Sequence, residues 1–237
     1  MLKVLYEDEL IVVCIKPVGV LSQGAPGETG DMLALLREQC ACREIYPIHR
    51  LDRGVGGVMV YAKRRDAAGA LSASVADRSM VKEYVALVHG SPSAKEGEMV
   101  DLLYKDATLN KSFVVDRKRA GVKEARLSYR VLATVAGEGG EALSLVRVRL
   151  GTGRTHQIRV QFSSRGMPLV GDGKYGARDH GMPLGLWSCR LCFAHPKYKG
   201  KTVDIFCPPP ADGAFACCSL AEELCGEELW GAAPYPG

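Results

Sequence analysis

The sequence has 237 residues, of which 47% are hydrophobic and 24% are charged, and its formal net charge is +4. A chain of this length can bury a large core in one domain or two subdomains, and it lacks the apolar run of roughly 18 residues that a membrane-spanning helix requires. Its nine cysteines are an odd number, which argues against a complete disulfide framework and favours a reducing, cytoplasmic location.

The charge is unevenly distributed along the chain. Residues 211–237 contain five acidic residues and no Lys or Arg, so this segment carries a charge of −5. Because the whole chain carries +4, residues 1–210 carry +9. We expect 1–210 to form the folded domain and 211–237 an acidic tail with a short helix over about 214–229. A basic body favours an anionic partner such as RNA, although many proteins of similar charge bind none.

The N-terminal segment predicts two short strands and a helix. Residues 2–15 contain the two strands, and Lys16 followed by proline ends the second one. A polar loop over 21–28 leads to Asp31, which can cap a helix over 32–41. The simplest interpretation of Lys16 is a residue in a strand-terminating turn.

Residues 46–63 predict a polar loop followed by a buried strand. The glycines before the strand permit close backbone approaches that a β-carbon would block. In the loop, Asp52 lies between Arg50 and Arg53, and nearby positive charges favour the ionised form of a carboxylate. Such an aspartate can act as a nucleophile or a base, and the alternative interpretation is a surface ion pair.

The next segment predicts a helix that ends near residue 78 and then a strand over 80–88. Tyr84 lies in this strand. The default interpretation of a tyrosine in a core strand is a structural residue whose hydroxyl has a hydrogen-bond partner.

Residues 105–126 form a basic segment with seven Lys or Arg and three Asp or Glu, a local charge of +4. The pattern predicts a basic hairpin tip that contains Arg117, Lys118 and Arg119. This tip either contacts phosphate groups or is a solvated loop without a partner.

Residues 125–135 and 141–150 predict an antiparallel pair of strands joined by a glycine-rich turn over 137–140. In the second strand, Leu and Val side chains form the core face, and we expect Arg147 and Arg149 to point outward. The following stretch, 151–162, places several polar side chains in one helical turn after two glycines. Taken alone, it predicts a capped helix start with a solvated arginine.

Four segments of the sequence resemble, in order and spacing, the motifs of RluA-type RNA pseudouridine synthases of the RluA/RsuA family. They are His49-Arg50-Leu51-Asp52 before a glycine-rich turn, Lys82-x-Tyr84-x-Ala86-x-Val88, Gly153-Arg154-Thr155-His156-Gln157-Ile158-Arg159, and Gly171-Asp172-x-x-Tyr175-Gly176. The resemblance covers about residues 6–210. It implies an α+β pseudouridine synthase fold with a mixed, largely antiparallel central sheet, flanking helices and a basic cleft between two subdomains.

The resemblance also implies an activity. An isomerase would convert uridine to pseudouridine in ribosomal or transfer RNA, as a monomer, without a cofactor, a metal ion or a membrane. Asp52 would be the catalytic carboxylate, with Arg159 as its ionic partner and Tyr84 stacked on the base. The expected substrate-binding residues are Arg50, Arg53, His156, Gln157, Arg117, Lys118 and Arg119.

The sequence departs from the family at three places. Relatives usually have Thr-Ser-Gly shortly after the catalytic aspartate, where this chain has Val55-Gly56-Gly57, and they tend to have a histidine near Trp187 and Ser188. Many relatives also carry a small N-terminal RNA-binding domain, whereas this sequence begins at the catalytic core. We therefore expect RNA targeting to come from the core itself.

Two other functions compete with this one. Relatives often carry Asn or Asp at the position of Ile15. A non-catalytic RNA-binding paralogue on the same fold is favoured by Val55 and Ile15 and disfavoured by the joint presence of Asp52, Tyr84 and Arg159. A metal-dependent nuclease requires several carboxylates around a metal ion, and the sequence contains no such cluster.

Cys189-x-x-Cys192 invites interpretation as a zinc site. On a strand, residues three apart point to opposite faces, and no second pair has zinc-ribbon spacing. Buried thiols are therefore the favoured interpretation.

Overall fold

The computed structural model describes residues 1–24, 30–137, 139–179 and 181–217. The described residues divide into two compact units. Unit 1 contains residues 1–82 and 187–207, and unit 2 contains residues 83–186 together with 208–217. The predicted acidic tail and its helix lie outside the described residues from 218 onward. The short segment before that point contains a single 3-10 turn, Gly213–Phe215.

Unit 1 is a mixed sheet with two helices. Its elements in chain order are β1 (Val4–Glu7), β2 (Ile11–Lys16), α1 (Met32–Gln39), β3 (Tyr46–Pro47), β4 (Gly56–Ala62), α2 (Arg65–Ala76), β10 (Leu186–Ala194) and β11 (Thr202–Phe206). The strand pairs β1–β2, β2–β4, β3–β4 and β10–β11 are antiparallel, and β4 pairs with β10 in parallel. Every residue of β4 is buried, which explains its almost continuous apolar sequence.

The helices of unit 1 follow their sequence signals. The Asp31 side chain accepts a hydrogen bond from the Ala34 N–H at 2.8 Å and so caps α1, as predicted. Helix α2 buries Ala67 and Leu71 against apolar side chains of β2 and β4. This packing covers apolar side chains of the sheet.

Unit 2 is an antiparallel sheet with one helix. It contains β5 (Val81–His89), β6 (Glu96–Asp106), β7 (Lys111–Val115), β8 (Val122–Ala136), β9 (Ala142–Leu150) and α3 (Gln157–Ser163). The strand order is β5-β9-β8-β6-β7. The expectation of an α+β fold with a mixed, largely antiparallel sheet is thus confirmed, while the basic cleft stays a prediction.

Two arginines of β9 are buried, so the prediction that Arg147 and Arg149 point outward is wrong. Both guanidinium groups donate to the carboxylate of Glu83, with Nη2–Oε distances of 2.6 and 2.5 Å. Glu83 lies directly opposite Arg149 in the β5–β9 register. Because a buried charge is tolerated when it is paired and hydrogen-bonded, this strand pair can hold arginines inside the unit.

The prediction that Arg117, Lys118 and Arg119 lie at the tip of a hairpin is also wrong. Strands β7 and β8 both pair with β6, from opposite sides, so residues 116–121 form a crossover connection between them. The sequence also gave no signal for β6 and β7, whose polar and charged residues obscure the strand pattern.

Candidate active site

Asp52 lies half-buried on the loop between β3 and β4. On its N-terminal side, the hydroxyl of Ser22 donates to the Leu51 carbonyl at 2.9 Å and accepts from the Leu51 N–H at 3.0 Å. The Tyr61 hydroxyl donates to the Ser22 carbonyl at 3.2 Å, and all three of these side chains are buried. One buried hydroxyl thus satisfies both backbone groups of the residue that precedes Asp52.

The residue after Asp52 is held in the same reciprocal way. The Gly19 N–H donates to the Arg53 carbonyl at 2.8 Å, and Arg53 Nε donates back to the Gly19 carbonyl at 2.9 Å. Lys16 Nζ reaches the carbonyls of Pro17, Val20 and Arg53 at 2.9, 2.7 and 3.4 Å. The loop is therefore fixed on both sides of Asp52.

Lys16 is fully buried, and sequence reasoning missed its part in this loop. Burial lowers the pKa of Lys16 to about 8, while the Asp52 carboxylate acts in the opposite direction and raises it. The ammonium group thus belongs to the electrostatic environment of Asp52. A Lys-Pro pair before a turn gives no local signal for such a role, because the role depends on the approach of Asp52 and the Arg53 carbonyl from a distant loop.

His49 also belongs to this loop and is held in its neutral form. The Val60 N–H donates to its Nε2 at 3.4 Å. Burial and, to a smaller extent, the nearby positive charge of Lys82 together lower the pKa of His49 to about 3. Its Nδ1 is buried and has no hydrogen-bond partner within the described ranges.

The two departures from the family motifs lie in contact with each other. Gly56 pairs with Trp187 and Gly57 pairs with Ser188 across β4 and β10. A β-carbon on Gly56 would lie 2.5 Å from the Trp187 ring, and one on Gly57, whose φ is +123°, would overlap the Ser188 backbone. The glycines therefore make room for this tryptophan and for the close β4–β10 approach.

Arg159 lies on α3 in unit 2 and is held by the glycine-rich turn that follows the helix. Its Nε and Nη2 donate to the two carboxylate oxygens of Asp172 at 2.7 and 2.8 Å. The guanidinium carbon also lies 5.1 Å from the centre of the Tyr175 ring. Asp172 is therefore a bidentate partner of Arg159 that sequence reasoning did not assign, and the pairing of Arg159 with Asp52 stays a prediction.

His156 precedes α3 in a left-handed conformation, with φ of 54°. Its Nδ1 lies 3.0 Å from the Tyr175 hydroxyl, and the two rings meet edge to face. The Ser112 N–H donates to the same hydroxyl at 2.9 Å. Tyr175 thus connects β7, His156 and Arg159.

The polar atoms of Gln157 are engaged inside unit 2. Its Oε1 accepts from Thr152 Oγ1 at 2.7 Å and from the Arg154 N–H at 3.0 Å, while Nε2 donates to the Arg126 carbonyl at 2.9 Å. Gln157 is buried, so these contacts favour a structural role in fixing the turn before α3.

The remaining predicted site residues are placed as follows. Tyr84 lies in β5 opposite Val148 and is 6% exposed. Arg50 is exposed on the loop of unit 1. The three basic residues of the crossover connection are all exposed in unit 2, namely Arg117, Lys118 and Arg119.

The described part of the chain contains no group of three or more His, Cys, Asp or Glu side chains that could hold a metal ion. Cys189 and Cys192 are buried in β10, which fits the interpretation of buried thiols. None of the described helices combines the length and the apolar character needed to cross a membrane.

Comparison with known proteins assigns the chain to a family. A family model described as RNA pseudouridylate synthase matches residues 10–164, which is more than half of the chain. The chain belongs to the RNA pseudouridine synthase family. The family members are isomerases that form pseudouridine in RNA, so the predicted enzyme class and RNA partner are confirmed.

Relatives of this synthase include two bacterial proteins that are named ribosomal large subunit pseudouridine synthases. It is 33% identical over 235 residues to ribosomal large subunit pseudouridine synthase D of Zymomonas mobilis, a match that covers 89% of this chain and 70% of that protein. It is 32% identical over 216 residues to synthase C of Pasteurella multocida, covering 87% of this chain and 64% of that protein.

The fold of this synthase is also found in a solved structure. Human RNA pseudouridylate synthase domain containing 1 superposes with a TM-score of 0.77 at 22% identity, covering 100% of this chain and 97% of that one. At this identity, the likeness supports the fold.

Proposed function

We propose that this synthase isomerises a uridine in structured ribosomal or transfer RNA, with Asp52 as the catalytic carboxylate. The observation that carries the proposal is the reciprocal hydrogen bonding on both sides of Asp52, since a catalytic group must be held in a fixed geometry. The names of the two bacterial relatives make large-subunit ribosomal RNA the first substrate to test.

Isomerisation requires cleavage of the bond between the ribose C1′ and the uracil N1, rotation of the base, and formation of a bond from C1′ to C5. The C5 proton leaves and N1 gains a proton, so the reaction balances without a cofactor. The target nucleotide must leave its stack for this chemistry. The ionised Asp52 either attacks C1′ or removes the ribose 2′ proton to give a glycal.

Arg159 would keep Asp52 ionised and oriented. An opposite charge nearby favours the ionised form of a carboxylate. The bidentate contact with Asp172 supports this role, because it fixes the plane and direction of the guanidinium group. Lys16, close enough to Asp52 for their charges to interact, would add to the same field.

Tyr84 would stack on the uracil and help to remove the C5 proton after the base rejoins the ribose. The ordinary pKa of a tyrosine is about 10, so this general-base role requires assistance from the site. Tyr84 is nearly buried, which fits a ring that meets a base inserted into the protein.

Binding of the RNA backbone would use polar and basic side chains. We assign this role to the exposed Arg50 and Arg53, to the half-buried His156, and to the exposed crossover residues Arg117, Lys118 and Arg119. Gln157 would contribute by holding the turn that carries His156. We further expect the enzyme to act as a monomer in the cytoplasm.

The test is pseudouridine mapping in RNA from a strain that lacks the gene. We expect one or a few sites to lose pseudouridine, and purified protein to restore them on large-subunit ribosomal RNA transcripts. Restoration only on transfer RNA transcripts would assign the second substrate class. An unchanged pseudouridine map, with no activity on either RNA, would refute the proposed function.

A further inference from the structure

Strands β6, β7 and β8 of unit 2 present an aromatic pair on one face of the sheet. Tyr104 of β6 lies directly opposite Phe113 of β7 and, on its other side, opposite Val122 of β8. Side chains at directly paired positions point to the same face. Phe113 is 37% exposed, and Tyr104 is partly exposed. An exposed aromatic ring beside a second aromatic ring is a surface to which a flat ligand can bind.

Cations lie over both rings. The Arg119 guanidinium carbon is 5.1 Å from the centre of the Tyr104 ring. Lys111 Nζ is 5.7 Å from the centre of the Phe113 ring and 5.0 Å from that of Tyr175. Arg119 belongs to the crossover connection, which passes over the Tyr104 side of β6, since a β-carbon on Gly121 would lie 3.6 Å from the Tyr104 ring. The crossover thus brings its basic residues next to the aromatic pair.

The charge of this surface selects among possible partners. Residues 105–126 carry a net charge of +4. The Asp116–Arg117 ion pair, at 3.7 Å, joins two highly exposed side chains and offsets little of this field. An apolar protein partner would leave the cations without counter-charges. A single-stranded nucleic acid offers both a flat base for the rings and phosphates for the cations.

We propose that Tyr104, Lys111, Phe113 and Arg119 form a binding site for an unpaired nucleobase of the RNA substrate. We name this set the aromatic–basic surface. The base stacks on Phe113, and Lys111 and Arg119 contact its flanking phosphates. The proposal rests on RNA as the substrate of this synthase, and it assigns the contact to a single-stranded segment of that RNA.

The experiment measures binding of a short oligouridylate and of an abasic oligonucleotide of the same length. Wild-type protein should bind the oligouridylate more tightly than the abasic strand. Phe113→Ala should bind the oligouridylate roughly fivefold to 150-fold more weakly than wild type and the abasic strand with unchanged affinity. Val114→Ala is the matched control. Val114 is equally exposed, at 36%, but pairs with Leu103 and points to the opposite face. This control should retain wild-type affinity for both strands.

Further variants make the outcome decisive. Phe113→Trp keeps a flat ring and should restore the preference for the base-bearing strand, while Arg119→Gln should reduce the salt dependence of binding to both strands. Equal affinities of Phe113→Ala and Val114→Ala would overturn the proposal, as would a loss of self-association in Phe113→Ala, which would assign the surface to a second copy. Pseudouridine formation by wild-type protein on its RNA substrate, measured in parallel, separates failure of this site from failure of the proposed function.

Discussion

The Ser22 hydroxyl offers a test of how the Asp52 loop is held. Ser22→Ala removes the acceptor of the Leu51 N–H and the donor to the Leu51 carbonyl, at 3.0 and 2.9 Å, while leaving all charges unchanged. Ser22 and Leu51 are both buried, so water cannot readily replace the lost hydroxyl. The substitution therefore loosens the residue next to Asp52 without touching Asp52 itself.

The magnitude follows from the orphaned backbone groups. A buried donor or acceptor left without a partner costs about 1–3 kcal/mol of folding free energy. For a chain of this size, that corresponds to a decrease of roughly 2–12 °C in Tm. Displacement of a catalytic group by about 1 Å can cost about a hundredfold in rate, so we expect kcat to fall roughly tenfold to a hundredfold. KM for the RNA should change by less than about threefold, because Ser22 is buried and does not face the substrate.

The assay is pseudouridine formation on a large-subunit ribosomal RNA transcript, together with thermal unfolding. Ser144→Ala is the matched control. Ser144 is also fully buried, and its hydroxyl donates to the Gly90 carbonyl at 2.8 Å in unit 2. We expect Ser144→Ala to lower Tm similarly but to keep the wild-type kcat, and Ser22→Thr to recover much of the lost kcat. Equal kcat values for Ser22→Ala and Ser144→Ala would refute a positioning role for Ser22.

Three further predictions follow from other contacts. Gly56→Ser should lower the unfolding free energy by about 1–3 kcal/mol through overlap with the Trp187 ring, and Trp187→His should relieve part of this loss in a double-mutant cycle monitored by urea unfolding. Asp172→Asn should lower kcat for pseudouridine formation, because it weakens the bidentate contact that fixes the Arg159 guanidinium group; an unchanged kcat would count against this. His49 has a folded-state pKa of about 3, below the ordinary 6.5, so the unfolded chain binds its proton more readily and stability falls as pH drops from about 6.5 to 3; His49→Gln should reduce this fall, measured by urea unfolding across that range.

The catalytic-motif strand and the helix cap were predictable because their signals are local. Strand β4 is apolar at nearly every position, and its complete burial follows from that pattern. Asp31 stands at the cap position of α1 and accepts the expected hydrogen bond. Such features depend on neighbouring residues alone, so a single sequence is sufficient to predict them.

The remaining features depend on strand pairing and on contacts between distant residues. Burial of Arg147 and Arg149 requires Glu83 on the adjacent strand, and the sequence of β9 alone does not reveal that register. The hydrogen bonds between Ser22 and Leu51 join residues 29 positions apart. The family motifs indicated Asp52 and Arg159, but the groups that hold them in place could be identified only from the folded chain.

Replacement of Asp52 by asparagine tests the central claim most directly. Asp52→Asn keeps the shape of the side chain and removes its charge, so the side chain at position 52 can neither attack C1′ nor remove the 2′ proton. The measurement is pseudouridine formation by purified Asp52→Asn in total RNA from a strain that lacks the gene, with RNA binding measured in parallel. We expect no detectable pseudouridine and an RNA affinity within about threefold of wild type, since the backbone contacts remain. Conversion of uridine at a rate comparable to that of the wild-type enzyme would show that Asp52 is not the essential catalytic group.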